Sequence, residues 1–205
     1  MSVGFLSRPL VSALLWAAMT GDMVTPILVA VFFELFWLDL IPVGTFIPPM
    51  ASYASLASIV TVERLGQLQV MQIAAIMAAS ALLAMIGAWL ESRQRVRQNI
   101  SFNTLLAWSR RGMTERYRPE RLVLKSILQQ LAMHGAFFFV SVWALITFGG
   151  MAVALVPDME WMNWNVLWLF ASLGGLLSLR IAKAYAVFGL SCCLVALVFL
   201  SMTLT

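Results

Sequence analysis

The sequence has little charge. Only 11% of its 205 residues are Asp, Glu, Lys or Arg, against about 25% in a typical soluble domain, and 62% are hydrophobic. This composition, with a mean hydropathy of +0.92, excludes an ordinary soluble globular protein. The alternating segments of a transmembrane β-barrel are also missing. We therefore predict an all-α integral membrane protein, because a helix satisfies its backbone hydrogen bonds internally in lipid.

Histidine and cysteine are equally scarce. A single histidine, His134, excludes a multi-histidine metal site. Cys192 and Cys193 are adjacent in an apolar run, which predicts small buried residues rather than a disulfide framework. The sequence also has no nucleophile–base arrangement, phosphate-binding loop or metal-ligand spacing. We therefore expect no catalytic residues, no metal and no cofactor.

Long hydrophobic runs are missing from residues 8–62. The run from Pro9 to Thr20 ends at Gly21-Asp22, and the next run ends at Glu34. Each run is shorter than the roughly 20 apolar residues that a membrane helix needs. We predict short, broken or re-entrant helices, which lipid tolerates only where protein or a wet cavity satisfies the freed backbone groups. Many transporters build a midplane substrate site in this way.

Glu34 is the strongest functional candidate in this segment. A carboxylate at the centre of a membrane helix costs about 2.5 to 3.5 kcal/mol, so an intramembrane acid indicates a functional site. The alternative is a position near an interface, or a structural ion pair with Arg8 or Arg64. Asp22 is a weaker candidate, because capping of the following helix is the favoured explanation for it. The prolines and glycine of residues 41–49 predict an extended or turning connection.

About four longer membrane helices are predicted after this segment. Residues 69–90 form the first clear span, in which Ser80, Ala84 and Ala88 recur every four residues and give a face for close helix packing. The C-terminal helices occupy residues 133–204. We predict one membrane domain over residues 1–205.

An amphipathic segment, residues 91–127, is predicted between the clear spans, at the membrane surface and broken near Arg110-Arg111-Gly112. The basic residues between positions 91 and 125 are Arg93, Arg95, Arg97, Arg110, Arg111, Arg116, Arg118, Arg121 and Lys125. This excess predicts a cytoplasmic location, whereas residues 157–165, with two acids and no basic residue, are predicted to lie outside. Because the net charge of +4 comes from this cluster, we expect no nucleic-acid partner.

The ordered features of residues 8–62 resemble the mannose/sorbose-type IIC subunit of the bacterial phosphoenolpyruvate-dependent sugar phosphotransferase system. These features are Arg8-Pro9-Leu10, Gly21-Asp22, the aliphatic run into Glu34, the turn at Gly44, and Pro49 before a run of small residues. The resemblance continues more loosely through residues 69–90 and the amphipathic segment, where Val96-Arg97 and Leu128-Gln129-Gln130 stand in family-like places. It thins beyond about residue 145.

The resemblance implies a multi-pass sugar permease subunit of the bacterial inner membrane. Such a subunit works in an oligomer with a IID-like membrane subunit, while IIA- and IIB-type soluble phosphocarriers phosphorylate the incoming sugar. The implied sugar site consists of Glu34, Asp22, Gly44 and Pro49. A carboxylate suits this site, because it accepts stronger hydrogen bonds from sugar hydroxyls than a neutral group does.

Three differences from the family pattern support an alternative. Only seven residues precede Arg8, where the family usually has a full hydrophobic helix. Pro42 stands where an Asn-like residue is common, and Met50 stands where Asp is common. A chain that lacks these polar ligands is also compatible with a non-transporting membrane scaffold or sensor subunit, which keeps the fold and binds partners through residues 91–125.

Overall fold

The computed structural model describes residues 8–38, 47–110, 119–157, 159, 161–179, 183 and 185–191, and every regular element in them is a helix. The helices are α1 (Pro9–Thr20), α2 (Val24–Phe36), α3 (Ala51–Leu65), α4 (Val70–Arg110), α5 (Pro119–Val153) and α6 (Trp164–Ser178). Residues 185–191 are helical as well. The predicted all-α fold is confirmed.

The first two helices are short. α1 has 12 residues and α2 has 13, which gives lengths of about 18 and 20 Å, against about 30 Å of hydrocarbon. Gly21 separates them in the left-handed region, with φ of 83°, and its N–H donates to the Ala17 carbonyl over 2.8 Å. Glycine suits this position because it has no Cβ to clash there. The predicted break at Gly21-Asp22 is confirmed.

α3 lies at the centre of the bundle, where it packs against α1, α2, α4 and α5. Its inward side chains are small, and Ala54, Ala57 and Ser58 are fully buried. Small side chains let neighbouring helices approach closely, which is how membrane helices gain packing energy. Phe33 of α2 and Met77 of α4 complete the core around it. α6 packs against α2 on the outside of this group.

The predicted small-residue face of the first clear span is confirmed in α4. Ser80 and Ala84 are fully buried, and Ala88 is 9% exposed. The hydroxyl oxygens of Ser80 and Ser58 are 2.5 Å apart, so one donates to the other across the α3–α4 contact. This face therefore packs against the central helix.

α4 and α5 differ from the prediction in length, with 41 and 35 residues. The expected boundary between a span at 69–90 and a separate segment at 91–127 is absent, because α4 continues to Arg110. Residues 91–110 contain neither glycine nor proline, and Arg95 donates to Glu91 one turn earlier over 2.6 Å. At residue 91 the side chains change from apolar to polar. The helix continues through this change, because ion pairs between residues four apart stabilise its polar part. α5 likewise begins at Pro119 rather than near residue 133.

Within the described residues, two helices are long and apolar enough to cross a membrane by length and composition: α4 and the stretch Glu120–Val153 of α5. α6 follows with 15 residues, and the Asn163 side chain caps it by accepting from the Val166 N–H over 3.0 Å. α6 and residues 185–191 occupy the places of the predicted C-terminal helices. Cys192 and Cys193 lie outside the described residues.

Candidate functional site

Glu34 lies in the last turn of α2 and faces the start of α1. Its Oε1 accepts a hydrogen bond from Arg8 Nη1 over 3.1 Å, and the two form an ion pair. The Glu34 side chain is 21% exposed, whereas that of Arg8 is 51% exposed. A pair this open to solvent contributes about 0.2 to 1 kcal/mol. Of the two partners considered from the sequence, the structure therefore places Arg8 against Glu34.

Glu34 has a second oxygen that Arg8 does not use. Glu34 Oε2 is buried and has no hydrogen-bond partner among the residues that the structure describes. The same is true of Ser55 Oγ in α3, whose side chain is fully buried. A buried polar atom left unpaired costs about 1 to 3 kcal/mol, so an unpaired acceptor in a native fold calls for an explanation.

A side-chain contact joins α1 to α3. Trp16 Nε1, near the end of α1, donates to both carboxylate oxygens of Glu63 in the last turn of α3 over 2.9 Å.

Asp22 lies at the opposite end of α2 from Glu34. Its Oδ1 accepts from the Val24 N–H over 3.0 Å, so it caps the start of α2, and its side chain is exposed. Twelve residues of helical rise separate the two carboxylates, which is about 18 Å. The structure therefore does not bring Asp22 and Glu34 together, and the capping explanation accounts for Asp22.

Pro49 belongs to the non-helical residues 47–50 that lead into α3, and it is half-buried. Next to it, Met50 packs against the core. Tyr53 follows in the first turn of α3, where its ring stacks on Phe137 of α5 at 5.3 Å and its hydroxyl donates to the Phe137 carbonyl over 3.2 Å. Tyr53 thus anchors the start of α3, which directly follows the segment carrying Pro49, against α5. Gly44 lies outside the described residues.

α6 supports the end of α2 that carries Glu34. A Cβ added to Gly175 would collide with the backbone carbonyl of Leu35, and one added to Gly174 would lie 3.2 Å from the Phe36 ring. Leu35 directly follows Glu34 in the chain. The position of the carboxylate therefore depends on the close approach of two backbones, which only glycine permits.

Sequence reasoning missed Ser55 and the contact between Trp16 and Glu63. A signal for Ser55 was present, because Ser55, Ser58 and Thr61 recur at three-residue spacing on one face of an apolar helix. The hydroxyls of Ser58 and Thr61 donate to backbone carbonyls one turn earlier, over 2.8 and 2.7 Å. Serine and threonine usually do this within helices, so the pattern alone does not single out Ser55.

A family model described as the PTS system sorbose-specific IIC component matches residues 1–180, which extends past the point near residue 145 where the resemblance was expected to thin. No curated protein matches the chain, and no solved structure matches it.

Proposed function

Because the chain belongs to the sorbose-specific IIC family of the sugar phosphotransferase system, a family of membrane components, we propose that it binds the incoming sugar at Glu34 and passes it through the membrane. The observation that carries this proposal is the buried Oε2 of Glu34, an anionic acceptor with no partner among the described residues. A sugar offers hydroxyl donors to such an oxygen, and a hydrogen bond to a charged group contributes about 1.5 to 3 kcal/mol.

Ser55 supplies a second contact in this proposal. Its hydroxyl is fully buried and unpaired among the described residues, and it belongs to α3, which packs against both α1 and α2. A hydroxyl both donates and accepts, so it complements a carboxylate that only accepts. Pro49 and Gly44, from the connection between α2 and α3, are proposed to line the same site. Asp22 lies too far from Glu34 to touch the same monosaccharide.

The proposed mechanism is alternating access. The short helices α1 and α2 move against the longer α4 and α5, and the bound sugar is exposed to each side in turn. Phosphoryl transfer then takes place on soluble IIA- and IIB-type partners, with a IID-like membrane subunit completing the permease. In this scheme the chain contributes binding and movement, and no catalytic residue.

A specific contact favours a second candidate, the non-transporting scaffold or sensor subunit. Arg8 already occupies one oxygen of Glu34, as a structural ion pair would require. In that case the carboxylate holds α1 against α2 and has no ligand. The two candidates predict opposite consequences for the same substitution.

The test is Glu34→Gln, measured by sugar uptake in cells that carry the matching partner subunits and by thermal stability in detergent. If Glu34 binds sugar, the neutral amide keeps the shape, protein yield stays normal, and apparent affinity falls on the order of tenfold. Glu91→Gln is the matched control, because it removes a carboxylate paired with Arg95 far along α4. We expect the control to leave uptake unchanged.

Two outcomes decide between the candidates. Normal uptake with normal yield for Glu34→Gln would rule out sugar binding by Glu34 and favour the non-transporting scaffold. A loss of stability of up to about 1 kcal/mol, partly restored by adding Arg8→Gln, would also indicate a structural pair, because the second change removes the charge that was left without a partner.

A further inference from the structure

A cavity of about 1110 Å³ lies between α4 and α5, away from Glu34. At one end it is lined by Trp89, Leu90 and Met133, where the apolar halves of both helices finish. Further along, its walls are formed by the charged half of α4 and the first turns of α5. The cavity therefore lies at the boundary between the apolar and the polar parts of α4 and α5.

The charges around this cavity have one sign. Arg93 and Arg97 line it from α4, and Arg121 and Lys125 line it from α5. In each helix the two residues are four apart and so share a face. None of the described residues that line the cavity is acidic. The nearby carboxylate of Glu91 is already paired with Arg95.

The side chains at the membrane end of the cavity also suit a phospholipid. The guanidinium of Arg93 lies over the Trp89 ring, 5.1 Å from its centre, and tryptophan and arginine both favour the headgroup layer of a bilayer. Gln94, another lining residue, has a buried Oε1 with no hydrogen-bond partner in the described parts of the chain. That oxygen can accept from a hydroxyl of a headgroup.

We infer that this cavity binds the headgroup of an anionic phospholipid, with the phosphate between Arg93, Arg97 and Lys125 and the acyl chains along Leu90 and Met133. Charge complementarity and the position at the end of the apolar helices favour this occupant over a soluble anion. Basic pockets between membrane helices at the cytoplasmic side are suited to such headgroups. The inference rests on the membrane location of the family and is independent of the sugar site.

The test uses the purified full chain in detergent and native mass spectrometry of retained lipid. Phosphatidylglycerol and phosphatidylcholine of the same acyl length are added in turn, and inorganic phosphate is added as competitor. We expect phosphatidylglycerol to be retained at least about tenfold better than phosphatidylcholine, and phosphate at equal concentration to leave it bound. Equal retention of the two lipids, or displacement by phosphate, would overturn the inference.

Paired variants separate the cavity from general charge. Arg93→Gln with Arg97→Gln should lower phosphatidylglycerol retention roughly tenfold or more. Arg95→Gln with Arg110→Gln removes the same charge from the same helix outside the cavity, and we expect less than about a twofold change. Equal losses in both pairs would show that the cavity binds no lipid specifically. If the first pair does not fold, the comparison of lipids on the unmodified chain still decides.

Discussion

Single polar atoms carry the functional argument in this chain, because so few of its residues are charged. Glu34 is recognisable from the sequence alone, since a carboxylate in an apolar run is costly at the centre of a membrane helix. Ser55 is not, because a serine in a helix ordinarily bonds to its own backbone, as Ser58 does. Only the structure shows that Ser58 has a hydrogen-bond partner and that Ser55 Oγ has none among the described residues.

The role of Asp22 can be tested by two substitutions. Asp22→Ala should lower the free energy of unfolding by about 1 kcal/mol, because it removes the acceptor for the Val24 N–H. Asp22→Asn should have little effect, since asparagine caps equally well. Thermal unfolding in detergent measures both. A loss of uptake in Asp22→Asn at normal stability would contradict the capping role and return Asp22 to the sugar site.

At the scale of the helix, the end of α1 at a glycine was predictable from the sequence. The continuation of α4 through a change of polarity was not. α1 ends at Gly21, whose left-handed conformation costs glycine little and other residues more. Glycine beside aspartate is therefore a clear signal in the sequence. The change from Leu90 to Glu91 is as abrupt in hydropathy, yet the helix continues through it. Hydropathy reports what surrounds a helix, whereas a glycine at positive φ, such as Gly21 or Gly66, lies where its hydrogen bonds stop.

The contact between α2 and α6 yields a prediction at this scale. Gly175→Ala would place a Cβ against the Leu35 carbonyl, so the two helices must separate, at a cost of about 1 to 3 kcal/mol. Because Leu35 adjoins Glu34, uptake should fall together with stability. Thermal unfolding in detergent and uptake in cells measure the two effects.

Gly149→Ala provides the control for this experiment. A Cβ at Gly149, in α5, meets nothing within 4 Å. Alanine favours the helix more than glycine does, so stability should be unchanged or higher by up to about 1 kcal/mol. If both variants lose stability equally, the close approach of α2 and α6 is not the cause.

For the whole molecule, the arrangement of helices was less predictable than their existence. The sequence indicates small faces on residues 51–62 and on residues 69–90, but it does not say which helices share them. That α3 occupies the centre follows from which faces fit together once all the helices are present. The side of the membrane on which each loop lies depends instead on charge, and it stays a prediction.

Topology can be measured by labelling single cysteines in a background that lacks Cys192 and Cys193. Ser109→Cys, at the exposed end of α4, should be protected from an impermeant reagent in intact cells, because the basic excess predicts a cytoplasmic location. Asn165→Cys, exposed at the start of α6, should be labelled. It is preferable to a change at Asn163, which caps α6. The reverse labelling pattern would invert the assignment.

The unbroken length of α4 has a mechanical consequence. With 41 residues and no described interruption, it is a rod of about 60 Å whose inner half packs against α3. A tilt of about 10° around that half would sweep Arg110, roughly 30 Å away, through about 5 Å. A small tilt of α4 beside the central helix would thus move its far end by about 5 Å, which is about the rise of one helical turn.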